Sequence, residues 1–207
     1  LQEGKYYTVS MLHQYYDEAD KLVCESEIKK SFYISEIEEV QDISLYCHAD
    51  NRTSVKLENT ELGVRYDLWV DGGVYDKYVT TTPNETVEFK AIELFDKDGI
   101  PVYVVAVDPN ETSCTRKMSK EFTLYEFAIS GQSTDITCGG EGLTNGTFIG
   151  SAKGGVPAYS HELIDTEAGT VVLQAESSIT LPKGKYEYKV TDAIGCTRTF
   201  PFEIKEP

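Results

Sequence analysis

The strongest constraint on the fold is a hairpin that the chain spells twice. Near the C-terminus it reads Gly184-Lys-Tyr-Glu-Tyr-Lys-Val-Thr-Asp192, a short turn, Cys196-Thr-Arg, then Thr199-Phe-Pro-Phe-Glu-Ile204. In the middle it reads Val102-Tyr-Val-Val-Ala-Val-Asp108, a polar turn, Cys114-Thr-Arg, then Glu121-Phe-Thr-Leu124. Each copy is an alternating run closed by Asp, a turn, Cys-Thr-Arg and a second alternating run, the pattern of two antiparallel strands. A period of two puts Tyr186, Tyr188 and Val190 on one face and Glu187, Lys189 and Thr191 on the other. The first set is expected to pack between two sheets and the second to meet water.

A third copy opens the chain. Gly4-Lys-Tyr-Tyr-Thr-Val-Ser-Met11 leads through a long polar insert to Cys24 and then to Ser31-Phe-Tyr-Ile-Ser-Glu-Ile37. Its alternation slips around Tyr6 and Tyr7, which a β-bulge can absorb, and the insert Tyr15 to Leu22 reads either as part of the hairpin or as a short helix. The two remaining cysteines follow the first strands of repeats. Cys47 comes after Val40-Gln-Asp-Ile-Ser-Leu-Tyr46, and Cys138 after Ser133-Thr-Asp-Ile-Thr137. The simplest pairing is Cys47–Cys114 and Cys138–Cys196, each tying a repeat's first strand to its last hairpin. Cys24 is then left for a partner upstream, in a part of its own repeat that the chain does not contain. The organisation expected is the C-terminal hairpin of a preceding repeat at 1–37, a full repeat at 38–129 and a full repeat at 130–207. The linkers near Ile37–Val40 and Ile129–Ser133 are short, which favours a semi-rigid string of neighbouring repeats.

Within the last repeat, strand-like runs at Thr147–Ala152, Tyr159–Ile164, Thr170–Gln174 and Ser177–Leu181 precede the final hairpin, with turn residues between them. Short strands at this spacing, without a helical period, predict an all-β chain of tandem immunoglobulin-like antiparallel β-sandwiches, about seven strands each. Hydrophobic residues at 40% and aromatics at 11% supply cores, and 14 tyrosines against 2 methionines suit pleated strands. Paired cysteines place such a chain in an oxidising compartment. The formal net charge of −16 repels phosphate backbones and anionic lipid heads, and no apolar run reaches the length that spans a bilayer. Nucleic acid and membrane insertion are therefore excluded as partners. The chain opens on Leu1 rather than Met, which reads as a processed product or a piece of something longer.

No enzymatic constellation is present: there is no nucleophile elbow, no phosphate-binding loop, no paired zinc motif, and His13, His48 and His161 are far apart. Trp69 is the first candidate for ligand contact. If Tyr66 and Leu68 face the core, alternation sets Trp69 outside, with Tyr75 and Tyr78 across the Asp71-Gly72-Gly73 turn, an aromatic cluster able to stack on sugar rings or a neighbouring domain. The alternative is that Trp69 packs within the protein. Asp96, Asp98, Asp108 and Asp192 are candidate calcium ligands between repeats, although Asp in a turn also caps its own backbone. Asn51, Asn84, Asn110 and Asn145 each open a glycosylation acceptor triplet.

The segments Asn145-Gly-Thr-Phe, Gly154-Gly-Val-Pro157-Ala-Tyr159, Gly184-Lys-Tyr186 and Val190-Thr-Asp192-Ala-Ile-Gly195-Cys196 together resemble the SprB repeat. The match covers nearly all of 138–204. The repeat at 38–129 diverges: it keeps Gly63-Val-Arg-Tyr66, Val107-Asp108 and its cysteines but lacks the Gly-Gly-x-Pro element. The resemblance implies a long secreted adhesin of Bacteroidetes, displayed on the outer surface of a Gram-negative cell, exported by type IX secretion and used in gliding motility or attachment. It implies no catalysis, and partners among neighbouring repeats, surface polysaccharide or the secretion and motility machinery. The competing reading is a carbohydrate-binding or accessory module of a secreted polysaccharide-degrading enzyme.

Overall fold

The computed structural model describes residues 2, 4–94, 98–137, 145–173 and 178–207. Every regular element among them is a strand. A hairpin comes first, β1 (Lys5–Tyr16) against β2 (Leu22–Ile34). The next strands are β3 (Ile43–Cys47), β4 (Thr53–Thr60), β5 (Arg65–Val70), β6 (Gly73–Val79), β7 (Glu85–Phe89), β8 (Asp98–Val107) and β9 (Thr115–Tyr125). They form two antiparallel sheets, β3-β4-β7 and β6-β5-β8-β9. The pattern then repeats with β10 (Ala128–Thr134), β11 (Gly146–Lys153), β12 (Ser160–Asp165), β13 (Val171–Leu173), β14 (Ile179–Leu181), β15 (Gly184–Thr191) and β16 (Thr197–Ile204). Their sheets are β10-β11-β14 and β13-β12-β15-β16. The same three-plus-four strand order, reached twice, is that of an immunoglobulin-like sandwich.

Each pair of sheets encloses its own core. In the first, Ile43, Val55, Leu57, Val87 and Phe89 of the three-stranded sheet meet Tyr66, Leu68, Val102, Val104, Ala106, Met118 and Leu124 of the four-stranded one. In the second, Phe148 and Leu181 meet Leu163, Tyr186, Tyr188, Val190 and Ile204. Tyr186, Tyr188 and Val190 are at most 2% exposed, as alternation requires. The hydroxyl of Tyr186 donates to the carbonyl of Pro182, four residues upstream, the corner that such sandwiches build where a strand enters the second sheet. Gly131 and Gly150 pair across β10 and β11, and a Cβ on either would lie within 2.6 Å of the Phe148 or Tyr188 ring. The missing side chains make room for a stack in which Phe148 lies 4.0 Å from Phe202.

Three expectations are corrected. The N-terminal hairpin runs in register through Tyr6 and Tyr7, and its bulge falls at Tyr15/Tyr16. No helix forms over Tyr15–Leu22: β1 continues to Tyr16, and Asp17 closes the turn by accepting the Ala19 and Lys21 amides through Oδ1. Ile129–Ser133 is not a linker but part of β10, paired residue by residue with β11, so the crossing between sandwiches is only Glu126–Phe127. Ile37 and Val40, between β2 and β3, are buried in the first core.

Candidate functional site

The site with most structure is the junction between the two sandwiches, and it begins with two aspartates. Asp108 follows β8 and Asp192 follows β15, each nearly fully buried. Each backbone amide donates to the carbonyl of the coming cysteine, Asp108 to Cys114 at 3.0 Å and Asp192 to Cys196 at 2.9 Å. The Oδ1 of Asp108 accepts the amides of Asn110 and Glu111, and that of Asp192 accepts those of Ile194 and Cys196. The second oxygen reaches outward: Asp108 Oδ2 accepts the Ser35 hydroxyl at 2.8 Å, and Asp192 Oδ2 accepts the Val156 amide at 3.0 Å. A buried carboxylate held by several donors is stable without a counter-ion. These two candidate calcium ligands are thus turn caps. Asp96 lies outside the described residues, Asp98 starts β8, and no cluster of metal-ligating side chains occurs among the described residues.

The turn beyond Asp192 is fastened to the sandwich before it. Cys196 is disulfide-bonded to Cys47, with Cα atoms 5.1 Å apart. Asn51 Oδ1 accepts the Thr197 amide and hydroxyl, each at 3.2 Å, and the Asn51 carbonyl accepts Arg198 Nη1 at 3.0 Å. Arg198 Nε also donates to the carbonyl of Phe127 in the crossing segment. Gly155 closes the other side, its amide donating to the Tyr125 carbonyl at 3.0 Å.

The bridge overturns the expected pairing. Cys47 is joined neither to Cys114 nor within its own sandwich. Cys114 is free and half-buried, Cys24 is free and exposed opposite Tyr15 in the hairpin, and Cys138 lies outside the described residues. The reason is strand direction. Successive strands run alternately up and down, so the β3–β4 turn sits at one end of the first sandwich and the β8–β9 turn at the other. Two cysteines at opposite ends cannot reach the Cα separation a disulfide needs, whereas Cys196 arrives from the next sandwich at the end where Cys47 waits.

Two clefts lie at the junction. One, of about 150 Å³, is lined by Asn51, Ile92, Glu93, Tyr125, Phe127 and Arg198. The other, of about 380 Å³ and more apolar, is lined by Leu45, Phe122, Tyr125, Val156, Pro157 and Tyr159.

The candidate aromatic cluster does not assemble. Trp69 is half-buried on the outer face of β5, as alternation requires, but its ring stacks on Tyr103 of β8 at 5.9 Å and 11°. The Lys117 ammonium lies 3.9 Å from the centre of the Tyr103 ring. Tyr78 is paired with core-facing Tyr66, and a register shift at Leu68/Trp69 leaves Tyr75 unpaired. Their hydroxyls turn toward the opposite sheet, Tyr75 to the Ala91 carbonyl and Tyr78 to the Glu85 carboxylate. Sequence reasoning missed Tyr103 because the pairing of β5 with β8 is non-local. In the sequence Asn51 reads only as a glycan acceptor, whereas its side chain is engaged inside the junction.

No family model matches the chain, and no curated protein does. Among solved structures, it is similar to the C-terminal 282-residue fragment of intimin, solved in complex with the intimin-binding domain of the translocated intimin receptor. The TM-score is 0.48 and the identity 16%, over 82% of this chain. The match spans 65% of that fragment, a little under two thirds of its length.

Proposed function

We propose that the chain is a non-catalytic run of extracellular spacer and adhesion modules, of the SprB-repeat kind, belonging to a large protein on the outer surface of a Gram-negative bacterium. The observation that carries this reading is the disulfide from Cys47 to Cys196, which staples one sandwich to the next. A covalent tie between neighbours, beside a two-residue crossing, holds their relative orientation and resists extension, which an isolated binding domain does not require. The acidic surface suits a solvated, non-aggregating stalk, and the bridge suits an oxidising exterior. Export by type IX secretion and a role in gliding or attachment follow from the resemblance of Asn145–Cys196 to the SprB repeat.

Fab fragments raised against the 207-residue chain test the reading on intact source cells. Staining without permeabilisation, together with reduced attachment or gliding in their presence, is the expected result. Staining that requires permeabilisation contradicts it.

A further inference from the structure

The junction seen between the two sandwiches has a counterpart at the other end of the first one, and that counterpart is incomplete. Cys114 precedes β9 as Cys196 precedes β16, each followed by Thr-Arg and each receiving the amide of a buried Asp on its carbonyl. Arg198 donates to the Phe127 carbonyl in the segment after hairpin β8–β9, and Arg116 donates to the Ile37 carbonyl, at 3.0 Å, in the segment after hairpin β1–β2. The turn between Asp108 and Cys114 also touches that hairpin: Tyr6 donates to the Asn110 carbonyl and Asn110 Nδ2 to the Tyr33 hydroxyl, both at 3.3 Å. Cys196 in this setting is bonded to the preceding unit, whereas Cys114 is free.

The hairpin itself supplies a second, independent observation. Cross-strand partners share a face, so Tyr7, Val9, Met11 and Tyr15 lie together with Phe32, Ile28 and Cys24, with Lys30, His13 and Ser26 among them. Thr8, Ser10, Gln14, Ser31, Lys29, Glu27 and Glu25 lie on the other side, which is the more polar of the two although it also carries Tyr6, Leu12 and Tyr33. The first face is the more apolar of the two, and no strand beyond β1 and β2 joins this sheet among the described residues. Val9, Met11 and Ile28 are 56%, 62% and 65% exposed, where Tyr188 and Val190 of β15 are at most 2% exposed. In both complete sandwiches this face of the final hairpin is covered by the three-stranded sheet, and Cys47 ends a strand of that same sheet. One occupant therefore fits both the exposed face and the free thiol.

We infer that Cys114 is one half of a second disulfide between units, and that its other half is carried by a further β-sandwich unit of the same polypeptide, for which β1–β2 is the closing hairpin. Its three-stranded sheet covers Val9, Met11, Ile28 and Phe32, and a cysteine at the end of its first strand meets Cys114; as the S–S bond forms, the two thiols give up two protons and two electrons to a disulfide-exchanging oxidant of the oxidising exterior. The bridges thus form a series, each running from the Cys-Thr-Arg turn of one unit back to the first strand of the unit before. This rests on the internal repetition and on the oxidising surroundings of the proposed function, and recovery of the Cys47–Cys196 bridge in the same digest reports on those surroundings separately.

The test uses the protein isolated from the cells that make it, beside the 207-residue chain. In a non-reducing digest of the isolated protein, the Cys114 peptide is expected to be linked to a peptide from outside residues 1–207. Recovery of Cys114 as a free thiol, or bridged to any cysteine within 1–207 of the same or a second copy, overturns the inference. Peroxide oxidation reads the apolar face, because Met11 and buried Met118 are the chain's two methionines. Met11 is expected to oxidise at least about tenfold more slowly in the isolated protein than in the 207-residue chain, since access of oxidant governs sulfoxide formation. Equal Met11 rates in the two also overturn it, with the slow oxidation of Met118 as the control for folding.

Discussion

Cys47 and Cys196 are 149 residues apart in the chain and are joined across the boundary between two sandwiches. Closing so long a loop lowers the entropy of the unfolded chain and so raises its free energy, by about 5 kcal/mol in the loop-entropy model. Because each sandwich has its own core, the bond also couples two otherwise separate folding units. Replacing both cysteines by serine, or reducing the bond, is expected to split one calorimetric transition into two and to lower the first Tm. A single unchanged transition contradicts this coupling.

Glycine at 154 is dictated by the crossing segment. Its φ is +71°, and a Cβ there would fall 1.8 Å from the Glu126 carbonyl oxygen. Backbone clash and a left-handed conformation act together, so Gly154→Ala is expected to cost about 3 kcal/mol or more in urea unfolding. Gly169→Ala, with similar φ but no atom within 4 Å, is expected to cost only about 1 kcal/mol.

Asn51 holds a φ of +61° and accepts the Thr197 amide and hydroxyl. Asn51→Gly keeps the backbone and loses the bonds, for an expected cost of about 1–2 kcal/mol. Asn51→Ala loses both and is expected to cost about 1 kcal/mol more. Equal stability of the two variants in thermal unfolding would show that the left-handed backbone at 51 is not imposed by the junction.

Glu39 fastens the segment after the hairpin onto β9. Its carboxylate accepts the Ser119 amide at 2.6 Å and pairs with Arg116 at 3.2 Å. The Ser119 amide bond, followed by the Arg116 charge, holds its carboxyl below the ordinary value despite partial burial. A depressed folded pKa gives stability that is full above the unfolded value, near 4.5, and is lost as pH falls through the folded one. Glu39→Gln is therefore expected to cost about 1 kcal/mol at pH 7 and to become neutral at strongly acidic pH. A penalty independent of pH would contradict a role for its charge.

The strands and their faces were legible because period two and turn residues act locally. Tyr186, Tyr188 and Val190 lie inward as their spacing required, and among the described residues each sandwich has seven strands. What was not legible is non-local. The partner of Trp69 depends on which strand lies beside β5, and the partner of Cys47 on which end of which sandwich it faces. The second question had an answer in the strand count. The β3–β4 turn follows the first strand of its sandwich and the β8–β9 turn follows the sixth, so alternating directions set them at opposite ends. The paired cysteine motifs suggested closure within a repeat, while the topology required closure between repeats.

Non-reducing peptide mapping of the oxidised 207-residue chain tests the inter-unit staple most directly. A disulfide-linked pair of peptides containing Cys47 and Cys196 is the expected product. Peptides linking Cys47 to Cys114, or Cys138 to Cys196, would contradict it and return each bridge to the interior of a single sandwich.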